Sequence, residues 1–147
     1  MLAIGCDHGG YQLKLAVIEY LNSNGIEFVD FGTDSEESID YAPIAAKVAR
    51  SIVNGDNDRG ILICGTGIGM SLAANKINGI RAAVCTEEFS CEFTRRHNDS
   101  NILCLGGRVL DEKHAVHLVD IFLNTKFEGG RHQRRIDQIA MIERGEL

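Results

Sequence analysis

The segment Gly60-Ile61-Leu62-Ile63-Cys64-Gly65-Thr66-Gly67-Ile68-Gly69-Met70-Ser71 limits what this chain can fold into more than any other. Ile61 to Ile63 form a short continuous apolar run, the pattern of a strand covered on both faces in a parallel sheet. The run ends in a thiol, then three alternating glycines, then a helix start. Gly65, Gly67 and Gly69 tolerate backbone angles that other residues resist. Their N–H groups can therefore converge on an anion where the next helix begins. Cys64 stands at the mouth of that loop, where a nearby helix N-terminus favours reaction as a thiolate. One stretch thus supplies a base or nucleophile together with a cradle for developing negative charge.

The same alternation runs along the whole chain. Leu2–Cys6, Ile26–Phe31, Gly60–Cys64, Arg81–Cys85 and Ile102–Leu105 read as strands. Helical patterns cover Tyr11–Asn24, Tyr41–Val53, Gly69–Lys76, Glu87–Arg96, Asp111–Asn124 and Gln133–Arg144, and Asp34–Asp40 is an acidic loop. In the first helix Leu13, Ala16, Val17, Tyr20 and Leu21 share one stripe. Strand–helix alternation at this spacing predicts a parallel sheet with helices on both faces, a Rossmann-like three-layer α/β sandwich. At 147 residues the chain is most simply one domain. Ligands of such sheets bind beyond the carboxyl ends of the strands. Four segments fall there: Asp7-His8-Gly9-Gly10, Cys64–Gly69, Thr86-Glu87 and Gly106-Gly107-Arg108.

Composition narrows the function. A net charge of −6 argues against nucleic-acid or anionic-membrane binding. No apolar run approaches a membrane span, and the first residues lack the pattern of a signal peptide. The five cysteines are odd in number and widely spaced, with no CxxC pair. That favours reduced thiols in a cytoplasmic protein over a disulfide framework or structural zinc. Taken singly, each cysteine reads better as a small core residue.

Each polar group beside the strands has two readings. Asp7 and His8 suit contact with a substrate's hydroxyls and phosphate, or a helix cap and a solvated loop residue. The glycine loop admits a nucleotide site with Glu87 at a ribose, but its G-x-G-x-G spacing follows the third strand rather than the first. His97 is a candidate acid/base near neutral pH, or a cation favourably placed at a helix C-terminus. Arg131 and Arg135, four apart, share a helix face suited to a phosphate, or form a solvated helix start. His114 and His117 read as surface or packing residues, with no metal.

Together these residues resemble the ribose-5-phosphate isomerase B family, which belongs with the galactose-6-phosphate isomerase subunits. The match rests on Gly5-Cys6-Asp7-His8-Gly9-Gly10, Asp40-Tyr41, Ile63–Gly69, Ala73-Ala74-Asn75-Lys76, Gly79-Ile80-Arg81-Ala82, Arg96-His97-Asn98-Asp99 and Gly129-Gly130-Arg131-His132. Some branches lack the cysteine and use a glutamate on the following helix; Met70-Ser71-Leu72-Ala73 offers no acid here. The resemblance implies cofactor-independent interconversion of ribose 5-phosphate and ribulose 5-phosphate. It implies Cys64 as base, His97 in ring opening and Thr66 as a proton shuttle. Asp7 and Asn98 would contact the sugar, and Gly65, Gly67, Ile68 and Gly69 would support an enediolate. His8, Arg108, Arg131 and Arg135 would clamp the phosphate. It further implies a sheet order of 2-1-3-5-4 and a homodimer or dimer of dimers whose active site takes residues from both subunits, the C-terminal helix contributing to dimer contacts. Alternatives are a six-carbon substrate such as allose or galactose 6-phosphate, a nucleotide- or phosphate-binding module, and a thiol hydrolase using Cys64 and His97.

Overall fold

The computed structural model describes residues 1–147. Five strands, β1 (Leu2–Cys6), β2 (Phe28–Asp30), β3 (Arg59–Cys64), β4 (Ala82–Val84) and β5 (Ile102–Gly106), form one sheet in the order β2-β1-β3-β5-β4. Every pairing is parallel. The helices are α1 (Tyr11–Ser23), α2 (Tyr41–Val53), α3 (Ile68–Ala74), α4 (Glu88–Asn98), α5 (Glu112–Asn124) and α6 (Arg131–Glu143).

The alternation of side chains across the pleat divides the core in two. Ile4, Cys6, Ile61, Ile63, Leu103 and Leu105 face one way, against Val17 and Leu21 of α1 and Leu118 and Phe122 of α5. Ala3, Leu62, Cys64, Ile102 and Cys104 face the other, against Ile44 and Val48 of α2 and Met70 of α3. The central strands β1, β3 and β5 are buried almost throughout, which is why they read as unbroken apolar runs. The expected three-layer sandwich and strand order are both present.

The edge strands are shorter than their apolar runs. Ile26 does not enter the ladder; its N–H returns to Leu21 O at 2.9 Å and closes the end of α1. The N–H of Arg81 is taken by the side chain of Asn101 at 2.8 Å, so β4 begins at Ala82. The last helix starts at Arg131 rather than Gln133, entered through Gly129 and Gly130 at φ +68° and +57°. It packs on α4, and Glu143 near its far end accepts the N–H of Gly79 at 2.5 Å. Helix α6 therefore lies along α4 and reaches the turn that precedes β4.

Candidate active site

Three loops at the carboxyl ends of β1, β3 and β5 are fused by glycines that leave no room for a side chain. A Cβ on Gly9 would stand 3.0 Å from the N of Gly65, and one on Gly107 only 2.3 Å from the O of Gly9. One on Gly106 would lie 2.9 Å from the backbone of Thr66. Hydrogen bonds complete the junction: Gly107 N donates to Cys64 O at 2.7 Å and Arg108 N to Gly65 O at 3.0 Å. The result is a continuous floor that holds Asp7, Cys64, Thr66 and Arg108 together. Arg108 lies over Gly65, its guanidinium 3.2 Å from where a Cβ would sit.

Cys64 differs from the other four cysteines in what its sulfur does. All five are buried and reduced. Cys6 and Cys91 donate, to Thr33 O and Leu118 O. Burial pushes the Cys6 thiol up to about 11 and raises Cys104 as well. Cys64 Sγ instead accepts the N–H of Gly67 at 3.1 Å, an arrangement complementary to a thiolate. Gly67 reaches that position at φ +80°, as the residue that opens α3. Thr66 Oγ1 accepts the N–H of Ile68 at 3.2 Å, fixing the hydroxyl at the loop's rim. The ring of Tyr41 covers the space that a side chain at Gly69 would need, 2.8 Å from its Cβ position.

Asp7 is buried and its Oδ1 accepts the N–H of Gly9 at 2.9 Å, capping the 3-10 turn His8–Gly10. The capping reading of Asp7 is therefore realised at the same place as the ligand edge. Nδ1 of His8 accepts from Ile39 N at 3.2 Å, which ties the acidic loop to this edge. Lys14, which sequence reasoning passed over, is buried beneath it, with Nζ at 2.8 Å from Asp30 and 2.5 Å from Thr33 O. Glu87 accepts the N–H of Ser90 at 3.0 Å as the cap of α4.

His97, Asn98, Arg131 and Arg135 lie elsewhere. Helix α4 starts after the carboxyl end of β4 and runs back, so its last residues reach the opposite end of the sheet. There Arg81 Nε donates to Asn98 O at 2.9 Å, just before Ala82, which pairs with Ile102. Ile102 is level with Gly60, and Cys64 with Gly106. Four residues of strand separate these levels, about 13 Å. Within one chain His97 and Cys64 stand at opposite ends of the sheet.

Around His97 a second polar cluster forms. Its ring stacks on His132 with centroids 4.0 Å apart and planes at 11°, and meets Phe93 edge-on at 4.8 Å. Glu128 lies between the two imidazoles and Arg96, whose guanidinium reaches its Oε2 at 2.6 Å. That hydrogen bond holds the Glu128 carboxyl below the usual glutamate range. Burial, with His97 and Arg131 nearby, lowers His132. Sequence reasoning named neither Glu128 nor His132 as a site residue, although His132 ends the Gly129-Gly130-Arg131-His132 signature; Glu128 left no trace beyond a four-residue spacing interrupted by two glycines. Among the ion pairs, none engages Arg108, Arg131 or Arg135. Arg50, Arg59 and Arg134 lack a carboxylate as well, but Arg108 at the glycine junction and Arg131 and Arg135 on one face of α6 are placed where a guanidinium could take an anion.

The family model for ribose/galactose isomerases matches residues 2–139. This chain belongs to that family. Ribose-5-phosphate isomerase B of Escherichia coli K12 is 48% identical over 142 residues, 97% of this chain and 95% of that one. The solved structure of Clostridium thermocellum ribose-5-phosphate isomerase B aligns with a TM-score of 0.97 at 49% identity, covering 99% of both chains. That of the Mycoplasma genitalium enzyme, with bound ribulose 5-phosphate, aligns at 0.92 and 41% identity over 97% of this chain and 95% of that chain. No helix is long and apolar enough to cross a membrane.

Proposed function

We propose that this chain, as a single isomerase domain over residues 1–147, interconverts ribose 5-phosphate and ribulose 5-phosphate, a step of the pentose phosphate pathway. The observation that carries the reading is the Cys64 sulfur receiving the Gly67 N–H inside the glycine-rich loop at the ligand edge of the sheet. Family membership and the sugar named in the Mycoplasma genitalium structure support the substrate.

The sugar phosphate arrives closed, so the ring opens first, with His97 moving a proton between the ring oxygen and solvent. The Cys64 thiolate then takes the proton from C2. The C2–H electrons form the C1–C2 double bond, and the carbonyl oxygen at C1 takes the negative charge. N–H groups of Gly65–Gly69 stabilise that enediolate; one such donor is typically worth about 10²–10³ in rate. Thr66 relays the hydroxyl proton from O2 to O1, the C2=O bond forms, and the thiol returns its proton to C1. Asp7 and Asn98 hold the sugar hydroxyls. His8, Arg108, Arg131 and Arg135 fix the phosphate, which orients the reacting carbons through the unreactive end.

Because His97 and the α6 arginines lie at the other end of the sheet, this scheme requires two chains. We place Asp7, His8, Cys64, Thr66 and Arg108 of one subunit opposite His97, Asn98, Arg131 and Arg135 of its partner in a homodimer, with α6 at the contact.

The test is steady-state isomerisation of ribose 5-phosphate beside allose 6-phosphate and galactose 6-phosphate, without added metal or nucleotide. The expected result is a large kcat/KM preference for ribose 5-phosphate. Preference for a six-carbon sugar would keep the mechanism and replace the substrate. No turnover on any of them would overturn the reading.

A further inference from the structure

The Glu128 carboxylate faces two imidazoles that no hydrogen bond ties to it. His97 Nε2 and His132 Nε2 each lie 3.5 Å from its Oε1, longer than a nitrogen–oxygen hydrogen bond. All three donor atoms fall within 4.8 Å of one another. Ligands held at about 2.0–2.1 Å on one tetrahedral zinc ion stand about 3.3–3.4 Å apart. Both carboxylate–imidazole spacings thus already approximate coordination edges.

The surroundings fix these donors from three segments: α4, the α5–α6 connection and α6. Arg96 takes the other oxygen of Glu128, with Nε at 2.7 Å. The Glu128 N–H also bonds Arg96 O at 3.0 Å. Oε1 is left free and aimed, as outer hydrogen bonds aim the ligands of metal sites. His132 is buried and its protonation is disfavoured, and a metal takes the neutral imidazole. The side chains of His97 and Glu128 are each 36% exposed, which leaves room for water to complete the shell. Closing the shell requires the two stacked rings to tilt toward each other around Oε1. The guanidinium groups of Arg96, Arg131 and Arg135 disfavour weakly held hard cations. They leave the field to ions that bond imidazole strongly.

We propose that His97, Glu128 and His132 form an inhibitory site for a borderline divalent cation, with zinc as the best fit. The ion would take the His97 lone pair needed for ring opening and so block turnover without engaging Cys64. That consequence rests on the isomerase reading; the binding does not.

Zinc titration of the purified protein by calorimetry, with cobalt absorption as a second readout, tests the site. One ion per chain is expected, with cobalt bands of tetrahedral nitrogen and oxygen ligation. Glu128→Gln and His132→Asn should each weaken binding about 10-fold or more, and Cys64→Ser should leave it unchanged. Glu128 is a surface residue, so Glu128→Gln stays informative if circular dichroism finds His132→Asn misfolded. Absence of wild-type binding at millimolar zinc, retained binding in Glu128→Gln, or loss in Cys64→Ser would overturn the proposal. In the isomerase assay, chelator-reversible inhibition of the wild type is expected, and its absence in Glu128→Gln. Zinc bound without inhibition would uphold the site and refute its inhibitory role.

Discussion

The N–H of Gly67 points at the sulfur of Cys64 from 3.1 Å. Gly67 can do so because its φ of +80° turns the chain sharply between β3 and α3. A Cβ at Gly67 would also lie 3.0 Å from the carbonyl carbon of Leu105. Gly67→Ala should therefore damage both folding and chemistry. Left-handed backbone costs an alanine about 1–2 kcal/mol, which lowers Tm by about 2–8 °C. The misaimed donor should cost kcat about 10²-fold or more. A Gly67→Ala enzyme with wild-type kcat would detach this hydrogen bond from catalysis. Cys64→Ala is the companion: loss of a general base is worth about 10²–10⁴ in rate, with binding of the sugar phosphate retained.

The separation of His97 from Cys64 within one chain predicts complementation. Cys64→Ala and His97→Asn chains should each be nearly inactive alone. After unfolding and refolding together, half of the dimers pair one of each. Each such dimer contains one site with both native groups, giving about a quarter of wild-type activity by two-fold symmetry. No recovery in a mixture verified by mass spectrometry to contain heterodimers would place both groups in the same chain's site.

Arg135 and Arg108 lie on different parts of the structure but carry no carboxylate partner. Their removal should act on substrate binding rather than stability. Each charge-assisted contact is worth about 1.5–3 kcal/mol, so Arg135→Ala and Arg108→Ala should raise KM for the phosphorylated substrate about 10–100-fold. Thermal midpoints should stay near wild type. An unchanged KM for either variant removes that arginine from the clamp.

The packing of α6 on α4 should loosen on acidification. His132 is held below its ordinary value of 6.5 by burial and by neighbouring His97 and Arg131. The unfolded chain then binds the extra proton first, so this contribution is present above pH 6.5 and is lost as pH falls below it. Glu128, held below 4.5 by Arg96, adds stability that is lost at lower pH still. Thermal melts from pH 8 to pH 4 should show Tm declining from about pH 6.5 downward. His132→Gln should flatten the first part of that decline. An identical slope in the variant would assign the pH dependence to other groups.

Much of this architecture is legible in residue order. The unbroken apolar runs around Ile4, Ile61 and Leu103 announce buried parallel strands because helices cover both faces of the sheet. The glycines after Cys64 announce a sharp turn, since a positive φ is a property of the single residue that adopts it. The edge strands were less legible: Ile26 and Arg81 read as strand, but competing partners, Leu21 O and Asn101 Oδ1, take their N–H groups.

The strand–helix alternation, the ligand edge of the sheet and the thiol with its anion cradle are written in residue order, because they follow from local backbone chemistry and periodicity. Which donors meet depends on the three-dimensional packing. Packing gives the Gly67 N–H to Cys64, buries Lys14 under the acidic loop, stacks His97 on His132 over Glu128, and puts that cluster at the far end of the sheet from the thiol. Such relationships depend on how helices run back across a sheet and on which side chains share a desolvated space. Residues far apart in sequence are brought together there by packing, and no local pattern encodes it.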